Sequence, residues 1–337
     1  MRKRCILLVL LLILSATSVF AAESVTVYTT LDEPTARDVF QAFTAESGID
    51  VAWVRLSTGE AVARLEAEKE NPQASVWFGG VGLGHIQAKN KGLTTPYDSP
   101  AAANIADNFK DKDKFWTGIY AGPLCFESNT LMLEKYKLTA PKSWEEILDP
   151  KYQGHVEMAN PGSSGTAYNV LATLVQIFGE DKAFEMLTKL DANITQYTRS
   201  GSAPGKHASI GEVTVAIGYA HDGVKLINEG FPLEITFPSE GTGYEVASIS
   251  MIKNGPAKEQ EAAKKLYDWA LGAKAAEMYA KNFVVPFVDV PLAKGAIPIS
   301  QVKTIMQDDQ WAAENKDRLV EKWNSIVGSG KIEQEKK

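Results

Sequence analysis

Cysteine is nearly absent: the 337 residues hold two, Cys5 and Cys125. Cys5 falls in a stretch that reads as a removable leader, so a processed chain would keep Cys125 alone and could form no internal disulfide. Histidine is also sparse. The four present, His85, His155, His207 and His221, show no H-E-x-x-H or other paired-ligand spacing, so nothing in the pattern points to a zinc site. No cluster of Lys and Arg stands beyond the leader, and the formal net charge is −7. An acidic chain without a basic patch lacks the electrostatic footprint of a nucleic-acid or anionic-membrane binder. Long apolar runs are missing too. The one strong run, residues 5–14, is too short to span a bilayer as a permanent anchor.

That run is flanked by Arg2, Lys3 and Arg4 on one side and by Val19-Phe20-Ala21 on the other. This is the layout of a secretory signal peptide over residues 1–21, with cleavage expected after Ala21 and export to a periplasm as the consequence. Cys5 comes directly after Arg4, so it is not a lipoprotein-type cysteine. Loss of the three basic residues makes the remaining chain more acidic.

Beyond the leader, strand and helix alternate. Residues 24–28 alternate like a half-buried strand, Pro34 suits a first helical turn, and Val39, Phe40 and Phe43 form an apolar face that Gly48 ends. A second strand is expected near residues 49–55, a helix over 60–70 and a third strand over 75–78. This β-α-β-α-β order implies an α/β fold with a mostly parallel sheet, whose ligands bind beyond the carboxyl ends of the strands. A further strand begins near Trp116 and opens a second α/β unit. In it are expected a helix after Ser143, a strand at 156–158, a helix over 168–178 and a strand at 213–219. Residues 246–252 read as a strand returning to the first unit, with helices after it near 257–271 and 274–281, and the tail from Ser329 reads as frayed. The expected division is residues 22–120 with 247–337 in lobe 1 and 121–246 in lobe 2, with two crossings between them.

Four loops rich in Ser, Thr and Gly stand where strands hand over to helices: residues 56–60, 161–166, 199–203 and 240–245. Small residues let backbone N–H groups converge on an anion, and a helix N-terminus adds its dipole. Ser57-Thr58-Gly59-Glu60 is also a capping box, so Ser57 and Glu60 have a structural role whether or not Thr58 and Gly59 meet a ligand. Ser164, Gly165 and Thr166 precede a helix and permit the same two readings. Ser200 and Ser202 lie in a loop that superficially resembles a P-loop, but Gly201 and Gly205 enclose three residues and His207 comes after Lys206, so the nucleotide motif fails. Gly162-Ser163-Ser164-Gly165 is not a nucleophile elbow either. No residue set calls for catalysis, and no cofactor is implied. Asp32 and Arg55 stand at strand ends, where a charged group either faces solvent or meets the ligand. Phe78, Trp116, Tyr120 and Tyr244 are available to stack on a ligand, though aromatics there more often belong to the core.

The stretch Ser143-Trp144-Glu145-Glu146-Ile147-Leu148-Asp149-Pro150-Lys151-Tyr152-Gln153-Gly154, with Ala159-Asn160-Pro161-Gly162-Ser163-Ser164-Gly165-Thr166-Ala167-Tyr168 after it, resembles the solute-binding proteins of bacterial ABC importers. The branch is the one that includes the ferric-iron-binding proteins. The resemblance implies a two-lobed Venus-flytrap receptor that hands its ligand to an inner-membrane permease; a monomer would suffice. Iron-binding members carry two adjacent tyrosines after the strand matching 213–219, whereas this chain reads Tyr219-Ala220-His221-Asp222 and has no adjacent tyrosines. His221 and Asp222, with Glu245, instead resemble the sugar-phosphate-binding members. The resemblance therefore implies that Asp222 and Glu245 hold sugar hydroxyls while the Ser/Thr loops hold a phosphate. A hexose phosphate is the preferred ligand, with ferric iron or a phosphonate as the alternatives.

Overall fold

The computed structural model describes residues 23–327 and 329–333; the expected signal peptide lies outside them. The chain first builds β1 (Ser24–Thr29), α1 (Glu33–Ser47), β2 (Asp50–Arg55), α2 (Thr58–Ala67), β3 (Val76–Val81), α3 (Gly82–Asn90) and β4 (Thr94–Thr95). The long strand β5 (Thr117–Asn129) leads into α4 (Thr130–Tyr136), β6 (Val156–Ala159), α5 (Gly165–Phe178), α6 (Glu180–Asn193), β7 (Ile194–Thr198), α7 (Ala203–Ser209), β8 (Val215–Tyr219), α8 (Ala220–Asn228) and β9 (Leu233–Thr236). The return is made by β10 (Tyr244–Ile252), and after it come α9 (Gln260–Ala270), α10 (Ala273–Lys281), β11 (Val285–Pro286) and α11 (Asp309–Ile326).

Local chemistry explains the first helix. Pro34 sits in its opening turn, and Gly48 closes it at φ 71°, donating its N–H to the Thr44 carbonyl. That left-handed conformation is one glycine reaches without a Cβ penalty. The strands run in the order β2-β1-β3-β10-β5-β8-β6-β7. β2, β1 and β3 pair in parallel at one end, and β8, β6 and β7 at the other. β5 belongs to both ends. Its first half pairs with β10, where Gly122 faces Glu245, and its second half pairs with β8, where Leu124 faces Tyr219. The ribbon of β5 and β10 is thus the sheet-level junction of the two lobes and places Glu245 at the base of the cleft.

One core gathers Val25, Val27, Phe40, Phe43 and Phe78 with Leu266 of α9 and Tyr279 of α10. A second gathers Phe126, Trp144, Tyr152 and Tyr168 with Ala312, Leu319 and Trp323 of α11, and also takes in Val81 and Leu83 from the β3–α3 corner; two smaller clusters, around Trp77 and around Val213, complete the packing. The stretch from residue 247 onward therefore divides in its packing: α9 and α10 join the first core, and α11 joins the second.

Two local expectations are corrected. After Ser143 there is no α-helix but two short 3₁₀ turns, Glu146–Leu148 and Pro150–Tyr152. Ser143 Oγ does accept the Glu146 amide at 2.8 Å, but Pro150 holds Asp149 extended, at ψ 131°, and stops propagation. The tail is not frayed throughout. Ser329–Lys331 form a 3₁₀ turn, Ile332 bridges to Tyr197, and the Glu333 amide donates to the Tyr197 carbonyl at 3.0 Å. β7 is the last strand of the sheet, and its unpaired edge receives this segment.

Candidate functional site

A cavity of about 70 Å³ lies between the lobes. Its walls include Asp32, Ser57, Thr58, Ser164, Gly165, Thr166, Ser202, His221, Asp222 and Glu245. Ten of the twelve residues singled out in the sequence therefore meet in one place. The exceptions are Gly59 and Ser200. The Gly59 amide donates to the Ser163 carbonyl at 2.9 Å, so Gly59 seals the lobe contact instead of facing the cavity. The Ser200 hydroxyl is turned to Arg55, whose Nη2 donates to it at 3.0 Å.

One end of the cavity is built from chain starts. The capping box of α2 is formed, with Glu60 Oε2 accepting the Ser57 amide at 2.9 Å. Ser164 caps α5 and accepts the Ala167 amide at 3.3 Å. Both helices thus begin at the cavity, and their first-turn amides lack intrahelical partners. The approach is close: a Cβ on Gly165 would lie 2.5 Å from Thr58 Oγ1, and one on Gly201 would strike Thr166 and come within 2.8 Å of Ser164 Oγ. Arg55 places its guanidinium on the same wall, with Nη1 3.4 Å from Ser57 Oγ. Amides, hydroxyls and one guanidinium form a donor-rich pole suited to a compact anion.

The other end is acidic and aromatic. His221 stacks on Tyr219, with centroids 5.6 Å apart, and meets Tyr120 edge-on at 6.0 Å. Gly122 makes room for the ring, since a Cβ there would lie 2.5 Å from its Nδ1. Burial lowers the imidazole pKa and keeps the ring neutral. Its Nε2 lies 3.5 Å from Glu245 Oε1 and 3.9 Å from Asp222 Oδ1, while Nδ1 has no hydrogen-bond partner among the described residues. Burial raises the pKa of both Asp222 and Glu245, and their mutual repulsion strengthens the effect at Glu245. α8 opens at Ala220, which places Asp222 within its first turn and not at the cap.

Asp32 behaves differently. Burial pushes its carboxyl up, but the Lys225 ammonium at 2.7 Å, helped by hydrogen bonds from Lys225 and Thr35, holds it below the ordinary range. This ion pair joins the first lobe to α8 across the cleft. Lys225 was not anticipated from sequence, although it stands one helical turn from His221, where the i, i+4 rule places it on the same face. Thr30, Thr35, Asn282 and Val284 also line the cavity. Asn282 and Val284 flank Phe283, whose φ of 65° turns the chain after α10, and no local sequence pattern announces that turn. Among the aromatics proposed for stacking, only Tyr120 reaches the wall. Phe78 is core, and Trp116 and Tyr244 do not line the cavity.

Comparison with known proteins identifies the family. Residues 85–310 match the bacterial extracellular solute-binding protein family. A Haemophilus influenzae protein of unassigned function is 36% identical over 294 residues, covering 84% of each chain. The periplasmic binding protein AfuA of Actinobacillus pleuropneumoniae, solved with fructose-6-phosphate bound, superposes with a TM-score of 0.87 at 33% identity, covering 90% of this chain and 98% of its own. The periplasmic binding protein P5PA superposes with a TM-score of 0.86 at 31% identity, covering 91% of this chain and all of its own. With a donor-rich cleft between two lobes and a family match over most of its length, this chain is a member of the bacterial extracellular solute-binding proteins.

Proposed function

We propose that the protein captures a phosphorylated small molecule, preferably a hexose phosphate, in the periplasm and presents it to an inner-membrane ABC permease. The observation that carries this reading is the division of one cavity into two poles. Arg55, Thr58, Gly165 and Thr166 stand at one end, with Asp222, Glu245 and His221 at the other. A phosphate monoester brings negative charge and several acceptor oxygens to the first pole. Sugar hydroxyls bring donors to the second, where a carboxylate accepts two neighbouring hydroxyls and a neutral imidazole donates or accepts one. The reverse orientation would set phosphate against carboxylates. The fructose-6-phosphate held by AfuA belongs to the same ligand class.

Ferric iron suits these walls poorly. Tyr219 is the phenol stacked beside His221, and burial raises its pKa well above the ordinary value, so it would have to lose a tightly held proton to bind a hard cation. Mechanistically, ligand would dock on one lobe and complete its hydrogen bonds on the other, and its extra affinity for the closed form would drive closure.

The test is a thermal-shift and calorimetric panel of fructose 6-phosphate, glucose 6-phosphate, free hexoses, inorganic phosphate, an aminoalkylphosphonate and a ferric salt. The hexose phosphates are expected to stabilise most, by about 2.7 kcal/mol at roughly a hundred times the dissociation constant. Equal stabilisation by free hexose, or stabilisation by ferric salt alone, would refute the proposal.

A further inference from the structure

The most unusual buried group lies behind the site. Glu127 sits on the second half of β5, opposite Ala216 of β8 and Ile235 of β9, and is 1% exposed. Neither carboxyl oxygen has a hydrogen-bond partner among the described residues. An acidic side chain is rarely buried this way without a partner, because desolvation of the charge is costly. Burial, and after it the nearby Asp222, push its pKa well above the ordinary carboxylate value, and the Gly223 amide opposes them.

Its surroundings are made of missing side chains. A Cβ on Gly205 of α7 would collide with Oε2, one on Gly218 of β8 would lie 3.1 Å from Oε1, and one on Gly223 of α8 would lie 3.2 Å from Oε1. The carboxyl therefore fills a slot between the opening turns of α7 and α8. Those turns carry Ser202 and the pair His221-Asp222 to the cavity. Asp222 on α8 and Cys125 on its own strand are the titratable groups in electrostatic reach, while α7 and β8 turn glycines towards it.

We propose that Glu127 is a positioning residue: wedged into a glycine-lined slot, it sets the spacing of α7 and α8 and through them the placement of Ser202, His221 and Asp222. The inference rests on the reading of the cleft as a sugar-phosphate site. It has an electrostatic consequence. Two neighbouring carboxyls cannot both ionise cheaply, so a proton held on Glu127 favours the carboxylate form of Asp222, which accepts hydroxyls.

The test is calorimetric titration of fructose 6-phosphate into wild type, E127Q, E127D and E127A, with circular dichroism and thermal transitions as folding controls. Gln copies the neutral acid in shape and is expected to hold affinity within about threefold, whereas Asp and Ala leave the slot unfilled and are expected to weaken binding about tenfold, the equivalent of a misplaced hydrogen bond or two. As pH rises, the wild-type affinity is expected to fall more steeply than that of E127Q, which cannot ionise beside Asp222. Folded E127A with wild-type affinity would overturn the proposal, as would E127Q losing as much affinity as E127A. Parallel pH profiles would also overturn it. Failure of both E127D and E127A to fold would mark Glu127 as a core residue and end the idea. If wild type ignores every sugar phosphate, the reading of the cleft falls together with this inference; if wild type binds, any failure belongs to Glu127 alone.

Discussion

At the residue scale, the acidic pole sets function against stability. Asp222 and Glu245 are buried carboxyls with raised pKa values. As pH rises above about 4, the unfolded chain releases these protons before the folded one does, so folding takes protons up and stability falls with rising pH. Asp222→Asn and Glu245→Gln are therefore expected to raise the thermal midpoint of the ligand-free protein at neutral pH, and to raise it less near pH 4. The same changes replace carboxyl acceptors by amides that accept fewer hydroxyls, at about 1 kcal/mol or more per hydrogen bond lost, so hexose phosphate affinity should fall roughly tenfold or more. Thermal scans across pH and calorimetry at pH 7 check both halves. A variant that neither stabilises nor weakens binding would remove its residue from this pole. The pair His221-Asp222 was legible because it stands at the end of a strand and resembles a known motif. Lys225 was not: a lysine on an amphipathic helix looks the same in sequence whether it faces solvent or bridges a cleft.

At the scale of elements, short signals placed helix starts well. The Ser57–Glu60 capping box forms as its spacing implies, and Pro34 and Gly48 bound α1. The same logic failed after Ser143, where half of a cap is made but Pro150 denies the helix its length. Gly59 shows how an element's neighbours change a residue's meaning. Local sequence assigns it to the ligand, whereas the fold sets it against the other lobe. A Cβ there would lie 2.8 Å from the Ser163 carbonyl oxygen and closer still to that of Gly162, and both are backbone atoms that cannot rotate away. Gly59→Ala is accordingly expected to leave the thermal midpoint within about 1 kcal/mol equivalent of wild type, the Gly-to-Ala helix preference working in its favour, while impeding closure. Calorimetry should show weaker hexose phosphate binding and small-angle scattering an expanded liganded form. Wild-type values in both would show that the seam yields.

At the scale of the molecule, side-chain ion pairs join the lobes directly across the cleft. Lys225 meets Asp32 at 2.7 Å, and Arg199 meets Glu60 at 2.5 Å. The depressed pKa of Asp32 means its stabilising contribution is present above the ordinary carboxylate value of about 4 and is lost as pH falls through the lower folded value. Asp32→Asn is expected to enlarge the radius of gyration of the ligand-free protein at neutral pH, with saturating hexose phosphate restoring compactness. Acidification should expand the wild type towards the same state, provided folding persists. An unchanged radius on substitution would show that the remaining contacts suffice.

The strand–helix alternation, the helix caps, the absence of disulfide and zinc patterns and the four small-residue loops were all set by the order of residues, because each depends on neighbours a few positions apart. Tertiary structure alone decided which of those loops share a wall, because that depends on β5 and β10 joining the lobes between residues more than a hundred positions apart. It also decided that Lys225 pairs with Asp32, that α11 joins the second core and that Glu127 is buried without a hydrogen-bond partner among the described residues. Burial and long-range pairing set the charge state of these groups, and neither is written in local sequence.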